Sequence, residues 1–241
     1  MKKSIRQVVG RRIASVIMSA VLAFTGVGLL PQVSMSVQAA EQITSYTIND
    51  ASVNLSINES TTIQINGNGS ATNNTISLNV ASGKTVTVKL NNVNIDVSNN
   101  NTSAFRISGA GNVTVELIGS NTLKSGNNCA GLQKESNGTL TISGNGSLTA
   151  TGGEDGAGIG GRYHGNGSEI TISGGTVTAN GGMEGAGIGG GNHGNGSEIT
   201  ISGGTVTATG GRSGAGIGGG DNGNGSEITI SGGTVTANGG L

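Results

Sequence analysis

The 241-residue sequence has no tryptophan, one proline, one cysteine, two tyrosines and two phenylalanines, and only 10% of it is charged. Each scarcity excludes something. Collagen and proline-rich linkers need abundant proline, so the 48 glycines serve another backbone purpose. A conventional globular domain carries about a quarter charged residues and builds its core on large aliphatic and aromatic side chains. This chain is poor in both. Glycine at this density destroys helix propensity, and no stretch after residue 40 repeats its apolar positions at a helical period. Cys129 has no partner for an intramolecular disulfide, and no CxxC spacing suggests zinc. Its setting, Asn-Asn-Cys-Ala-Gly-Leu, offers no activating histidine or cation, so it reads as a small buried structural residue.

The net charge of −1 hides an asymmetry. Lys2, Lys3, Arg6, Arg11 and Arg12 precede the apolar run Ile13 to Leu30, and Val37-Gln38-Ala39 places short residues before a cleavage point. That is the pattern of a secretory signal over residues 1–39, with a retained anchor as the alternative because 18 apolar residues are short for a membrane span. Residues 41–241 then carry 7 basic and 13 acidic side chains, a balance of −6. Nucleic acid is excluded as a partner on that balance. The expected location is extracellular, at a bacterial cell surface, with no membrane association in the mature form.

What is present in abundance is repetition. GAGIGG begins at Gly156, Gly185 and Gly214, a period of 29 residues, and each copy continues into GNGSEITISGGTVTA. The unit persists in weaker form upstream, in SNGTLTISGNGSLTATGG (Ser136 to Gly153), and NVTVEL and KTVTVKL lie about 27 residues apart. Within a unit Ile170 and Ile172 alternate with Glu169, Thr171 and Ser173, and Val177 and Ala179 with Thr176 and Thr178, the period of a half-buried strand. Such strands bury their apolar side only by stacking. Ile159 should therefore lie against Ile188 and Ile217, Ile170 against Ile199 and Ile228, and Val177 against Val206 and Val235. The expected fold is all-β, a right-handed parallel β-helix of 27 to 29 residues per coil, with degenerate coils over 40–153 and regular ones over 154–241. About seven coils at strand spacing give a rod roughly 30 to 35 Å long. Gly-Gly and Asn-Gly pairs supply corners through positive φ. Disorder is the competing reading of a glycine-rich chain, and the strict Ile/Thr alternation argues against it.

A solenoid turns each outward residue into a column. Glu169, Glu198 and Glu227 form a carboxylate file, and Asp221, Asp155, Glu154 and Glu184 add acid in the loops. Oxygen ligands of this kind suit Ca²⁺, so Glu169, Glu198, Glu227 and Asp221 are the expected metal residues; the alternative is a solvated face that keeps a rod soluble. Asn166, Asn195 and Asn224 form a column of amides that can bond coil to coil at a turn. The Thr176, Thr205, Thr234 and Thr178, Thr207, Thr236 files resemble the arrays of ice-binding β-helices, a remote alternative. The loop after GAGIGG is where the copies differ, and variable loops on a rigid scaffold suit recognition. Arg162, Tyr163, His164, Asn192 and His193 are its candidate ligand-binding residues. No GxSxG, HExxH or P-loop occurs, and the basic residues are scattered, so no enzyme activity is expected.

On the segments ISLNVASGKTVTVKLNNVNI, TSAFRISGAGNVTVELIGSNTLKSG and CAGLQKESNGTLTISGNGSLTATGG, the stretch from Thr75 to Gly153 resembles the secreted carbohydrate-binding-domain family of Gram-positive β-helix proteins. The GAGIGGG and SEITISGGTVTATGG units look like repeats of surface proteins from the same bacteria. The resemblance implies a right-handed parallel β-helix that binds acidic plant or cell-wall polysaccharide, such as polygalacturonate, with assistance from Ca²⁺. A structural or adhesive stalk without a specific ligand is the alternative. The last copy stops at Leu241, where another GAGIGG would begin, with no polar cap, so truncation and end-to-end self-association are expected.

Overall fold

The computed structural model describes residues 43–240. The expected signal segment, residues 1–39, lies outside the described residues. Ile43–Leu241 form one compact unit, which spans the expected boundary at residue 153. The described residues contain strands and turns, and none of them forms a helix long and apolar enough to cross a membrane.

The strands, numbered in chain order, build three parallel sheets. The first contains β1 (Thr44–Thr47), β3 (Thr61–Asn66), β5 (Thr85–Asn91), β8 (Asn112–Ile118), β11 (Leu140–Gly144), β14 (Gly167–Ile172), β17 (Gly196–Ile201) and β20 (Gly225–Ile230), adjacent in that order. The second runs through β2 (Val53–Ile57), β4 (Ile76–Val80), β7 (Phe105–Gly109), β10 (Leu132–Lys134), β13 (Ile159–Gly160), β16 (Ile188–Gly189) and β19 (Ile217–Gly218). The third holds β6 (Asn94–Asp96), β9 (Ser120–Lys124), β12 (Ser147–Thr151), β15 (Thr176–Asn180), β18 (Thr205–Thr209) and β21 (Thr234–Asn238). The chain visits second, first and third sheet in turn and then begins the next coil. It is a parallel β-solenoid.

The expected ladders form in register: Ile159 with Ile188 and Ile217, Ile170 with Ile199 and Ile228, Val177 with Val206 and Val235. The older coils obey the same rule, since β8 pairs with β5 at an offset that sets Asn112 against Thr85. One core runs through them, with Phe105, Leu78, Leu90, Leu117 and Leu140 among its fully buried side chains. Asn121 occupies an inward position in line with Leu148 and Val177. It is tolerated because its amide is satisfied: Nδ2 donates to the carbonyls of Ile118 and Ser147 at 3.1 Å each, and Oδ1 accepts from Val93 N–H at 3.0 Å.

The glycines act differently from the expectation. Only eleven of those described have a positive φ. Most are required because coils approach too closely for a side chain; a Cβ on Gly182, for example, would sit 1.6 Å from the carbonyl oxygen of Gly153 one coil below. Gly160 needs both properties, with φ at +132° and a Cβ position 2.1 Å from the oxygen of Gly189.

Candidate functional site

The regular coils differ from the coil before them mainly in one connection, that between β13 and β14; the one between β14 and β15 is a residue shorter, since Val177 pairs with Leu148, 29 positions earlier. Ile159 pairs with Leu132, 27 positions earlier, but Ile170 pairs with Leu140, 30 positions earlier, so the passage from β13 to β14 holds three additional residues. They form a turn closed by Gly165 N–H donating to the Arg162 carbonyl at 2.7 Å, and the next two coils repeat it through Gly194 to Gly191 and Gly223 to Gly220. His164, His193 and Asn222 occupy the left-handed position of this turn, with φ of 57°, 59° and 55°. The turns are locked to one another, His164 N–H donating to Asn192 O at 2.8 Å and His193 N–H to Asp221 O at 2.7 Å.

This stacking gathers the variable residues. The rings of His164 and His193 lie 4.9 Å apart and nearly parallel, Tyr163 packs on His164 at 4.0 Å, and its ring is 6.4 Å from that of His193. The result is a small exposed aromatic patch; the 29-residue period already stacks the two histidines, and the structure adds Tyr163 to them. Beside it, Arg162 Nε lies 3.0 Å from Glu135 Oε1, and Arg106 Nε donates to Glu135 Oε2 at 2.8 Å. Two guanidinium groups thus share one carboxylate, leaving an excess of positive charge. Of the five expected ligand residues, Arg162, Tyr163, His164 and His193 face outward on this stack, whereas Asn192 is buried within it.

The glutamate file lies elsewhere, on the outer face of the first sheet. Glu169, Glu198 and Glu227 line an open groove of about 420 Å³ with Thr171, Thr200 and Thr229, and Thr139 stands at its older end. Each glutamate has φ near 52° and drops out of the strand pairing, leaving a left-handed kink at the same place in each of the three strands, a feature that the simple alternation of the sequence did not disclose. Asp221 is not part of this groove; its Oδ2 accepts from Asn222 Nδ2 at 2.7 Å. Among the described residues no group of three or more His, Cys, Asp or Glu side chains is arranged to hold a metal ion. The Asn column forms as expected, with Asn195 N–H donating to Asn166 Oδ1 at 2.9 Å and Asn224 N–H to Asn195 Oδ1 at 2.8 Å.

Two further residues complete the chemistry. Cys129 is half-buried, and burial pushes its thiol pKa up against the opposing pull of Arg162. Lys134 is 4% exposed and points inward where its neighbour in β7 carries Ile107. Its Nζ donates to the carbonyl of Ser136 at 2.8 Å, and burial lowers its pKa against the opposing pull of Glu169 and Glu198.

Residues 140–166, 170–192, 199–221 and 228–240 match the family model described as beta helix repeat. The fold is a parallel β-helix built of such repeats. The matched segments cover the regular coils and the last degenerate one, and the sheets carry the same register into the coils before them. No curated protein and no solved structure matches the chain.

Proposed function

We propose that this β-helix is an exported, non-catalytic module that binds polysaccharide across the stacked turns of its regular coils. The observation that carries this reading is the aromatic patch of Tyr163, His164 and His193 beside the Arg106–Glu135–Arg162 cluster. Flat rings supply the apolar contact that sugar faces favour, and the shared guanidinium groups favour an acidic sugar, since a uronate carboxylate would pair with the charge that Glu135 leaves uncompensated. A rigid ladder beneath the turns holds the patch with little ordering cost on binding. The acidic groove on the first sheet would repel a polyuronate unless a cation bridges the two, which makes the turn stack the favoured face.

A stalk without specific ligand is the second reading, supported by the uninterrupted stacking of near-identical coils. Affinity electrophoresis in gels cast with polygalacturonate or with neutral glucan separates the two. Binding predicts retardation in polygalacturonate that is lost in Tyr163→Ala and reduced in Arg162→Gln. Unchanged mobility of the native chain in every gel establishes the stalk.

A further inference from the structure

We infer that the coil of β19, β20 and β21 carries a self-modification site, in which Asn224 and Asn238 convert to aspartate and isoaspartate through the backbone nitrogens of Gly225 and Gly239. The described residues contain ten Asn-Gly pairs. A glycine without a Cβ leaves its nitrogen open to approach by the preceding side-chain amide. That nitrogen attacks Asn Cγ: the N–Cγ bond forms, the Cγ–Nδ2 bond breaks, and ammonia leaves with the proton of the Gly N–H. Water then opens the cyclic imide at either carbonyl, giving aspartate or the β-linked isoaspartate. The attack needs a Gly N–H without an acceptor and an Asn side chain that is not held elsewhere.

Local sequence does not single these two residues out. Asn166, Asn195 and Asn224 all sit in GNGSEITI, and Asn180 and Asn238 both sit in TVTANGG. Stacking makes the difference. Gly167 N–H donates to Asn195 O at 2.8 Å, Gly196 N–H to Asn224 O at 2.9 Å and Gly181 N–H to Thr209 O at 2.8 Å, so in these coils the next coil ties up the nucleophile. It also holds the electrophile, since Asn166 Oδ1 and Asn195 Oδ1 each accept an N–H from the following coil. Among the described residues, the N–H groups of Gly225 and Gly239 and the side-chain amides of Asn224 and Asn238 meet no hydrogen-bond partner, and all four residues are exposed. Gly67, Gly69, Gly146 and Gly223 donate to backbone carbonyls and are locked like the middle coils. Gly138 lacks such a bond but is buried, with its Cβ position 2.2 Å from the oxygen of Gly111, so the backbone after Asn137 has no room to swing. Conversion puts a carboxylate at the open edge, and the β linkage adds a backbone atom there, so the edge loses the register that pairs coil with coil. The chemistry is independent of glycan binding and is tested without any sugar.

The experiment incubates the dilute full chain at mildly alkaline pH and follows each site by tryptic mapping with fragmentation mass spectrometry. Cleavage after Arg162 and Arg212 places Asn224 and Asn238 in the peptide Ser213 to Leu241, apart from Asn166, Asn180 and Asn195. The expected result is that Asn224 converts at least about tenfold faster than Asn166 and Asn195, and Asn238 faster than Asn180 by a similar factor, while Asn222 in the same peptide stays intact. An isoaspartyl methyltransferase assay detects the β-linked product. In urea the five sites converge, Asn224 with Asn166 and Asn195, and Asn238 with Asn180, because their local sequences match. Gly225→Ala, whose Cβ position has its nearest neighbour at 3.4 Å, slows conversion of Asn224 and leaves that of Asn238 unchanged. Equal native rates at Asn195 and Asn224, or a native difference that persists in urea, overturns the inference.

Discussion

Among the described residues Lys134 is the one charged side chain that is buried, so its energetics are the sharpest to argue. An ammonium group at an inward strand position gives up hydration and recovers one hydrogen bond to Ser136 and a distant attraction to Glu169 and Glu198. Its native pKa is lowered while the unfolded chain keeps the ordinary lysine value, so the unfolded state binds the proton more tightly. Stability therefore rises as pH climbs from the native pKa towards the unfolded one, and below the native pKa the penalty is constant. Lys134→Met is expected to raise stability at neutral pH by about 1 kcal/mol and to remove that alkaline rise. Urea unfolding of both proteins between neutral and alkaline pH measures it; a variant that is less stable and keeps the rise contradicts the account. Neither Lys134 nor Asn121 was legible as buried, because the sequence shows a polar residue and only the neighbouring coils show that its position points inward.

In the turns and strands, the division between what the repeat pattern reveals and what it hides is sharper. The Ile and Val ladders and the Asn column follow from the 29-residue period, because identical units in parallel register must place identical residues on top of one another. The left-handed kink at Glu169 was hidden, since GSEITI reads as ordinary alternation and nothing in it announces such a residue. The glycines were visible but misjudged in their physics: close approach of coils, more than positive φ, demands them. That difference is measurable. Gly69 has φ of +81° with open space around its Cβ position, so Gly69→Ala pays only for the unfavourable dihedral, about 1 kcal/mol. Gly182→Ala must push two backbones apart and is expected to cost about 3 kcal/mol or more, or to prevent folding. Thermal melts of the two variants compare them directly, and equal losses would show that dihedral freedom is the common cause after all.

The solenoid as a whole is not equally stable along its axis. Middle coils bury Ile170, Ile172, Ile199 and Ile201 completely, whereas in β20 Ile228 is 38% and Ile230 is 53% exposed, and β19, β20 and β21 each have a strand neighbour on one side alone. A one-dimensional stack opens from such an end, because a terminal coil gives up one interface where a middle coil gives up two. Amide hydrogen exchange in this chain is expected to be faster by at least about tenfold in β20 and β21 than in β14 and β15. Equal protection along the axis would mean that the exposed edges are covered in solution, as end-to-end association of chains would do.

The sequence by itself determined the all-β class, the coil length, the composition of the aliphatic ladders and the loop in which the copies diverge, because each of these is a periodicity and stacking converts period into position. It named Arg162, Tyr163, His164 and His193, and its 29-residue period stacks the two histidines, without showing that the Tyr163 ring would fold onto His164. Only the tertiary structure decided that contact, the separation of Asp221 from the glutamate file, and the burial of Asn192 between Asp155 and Glu184. The reason is geometric. Residues 29 apart are neighbours throughout the regular coils, but contacts such as Asp155 with Asn192, 37 apart, join one position of a coil to another position of the next. Those diagonal distances depend on how each turn bends, and repetition along the chain carries no record of them.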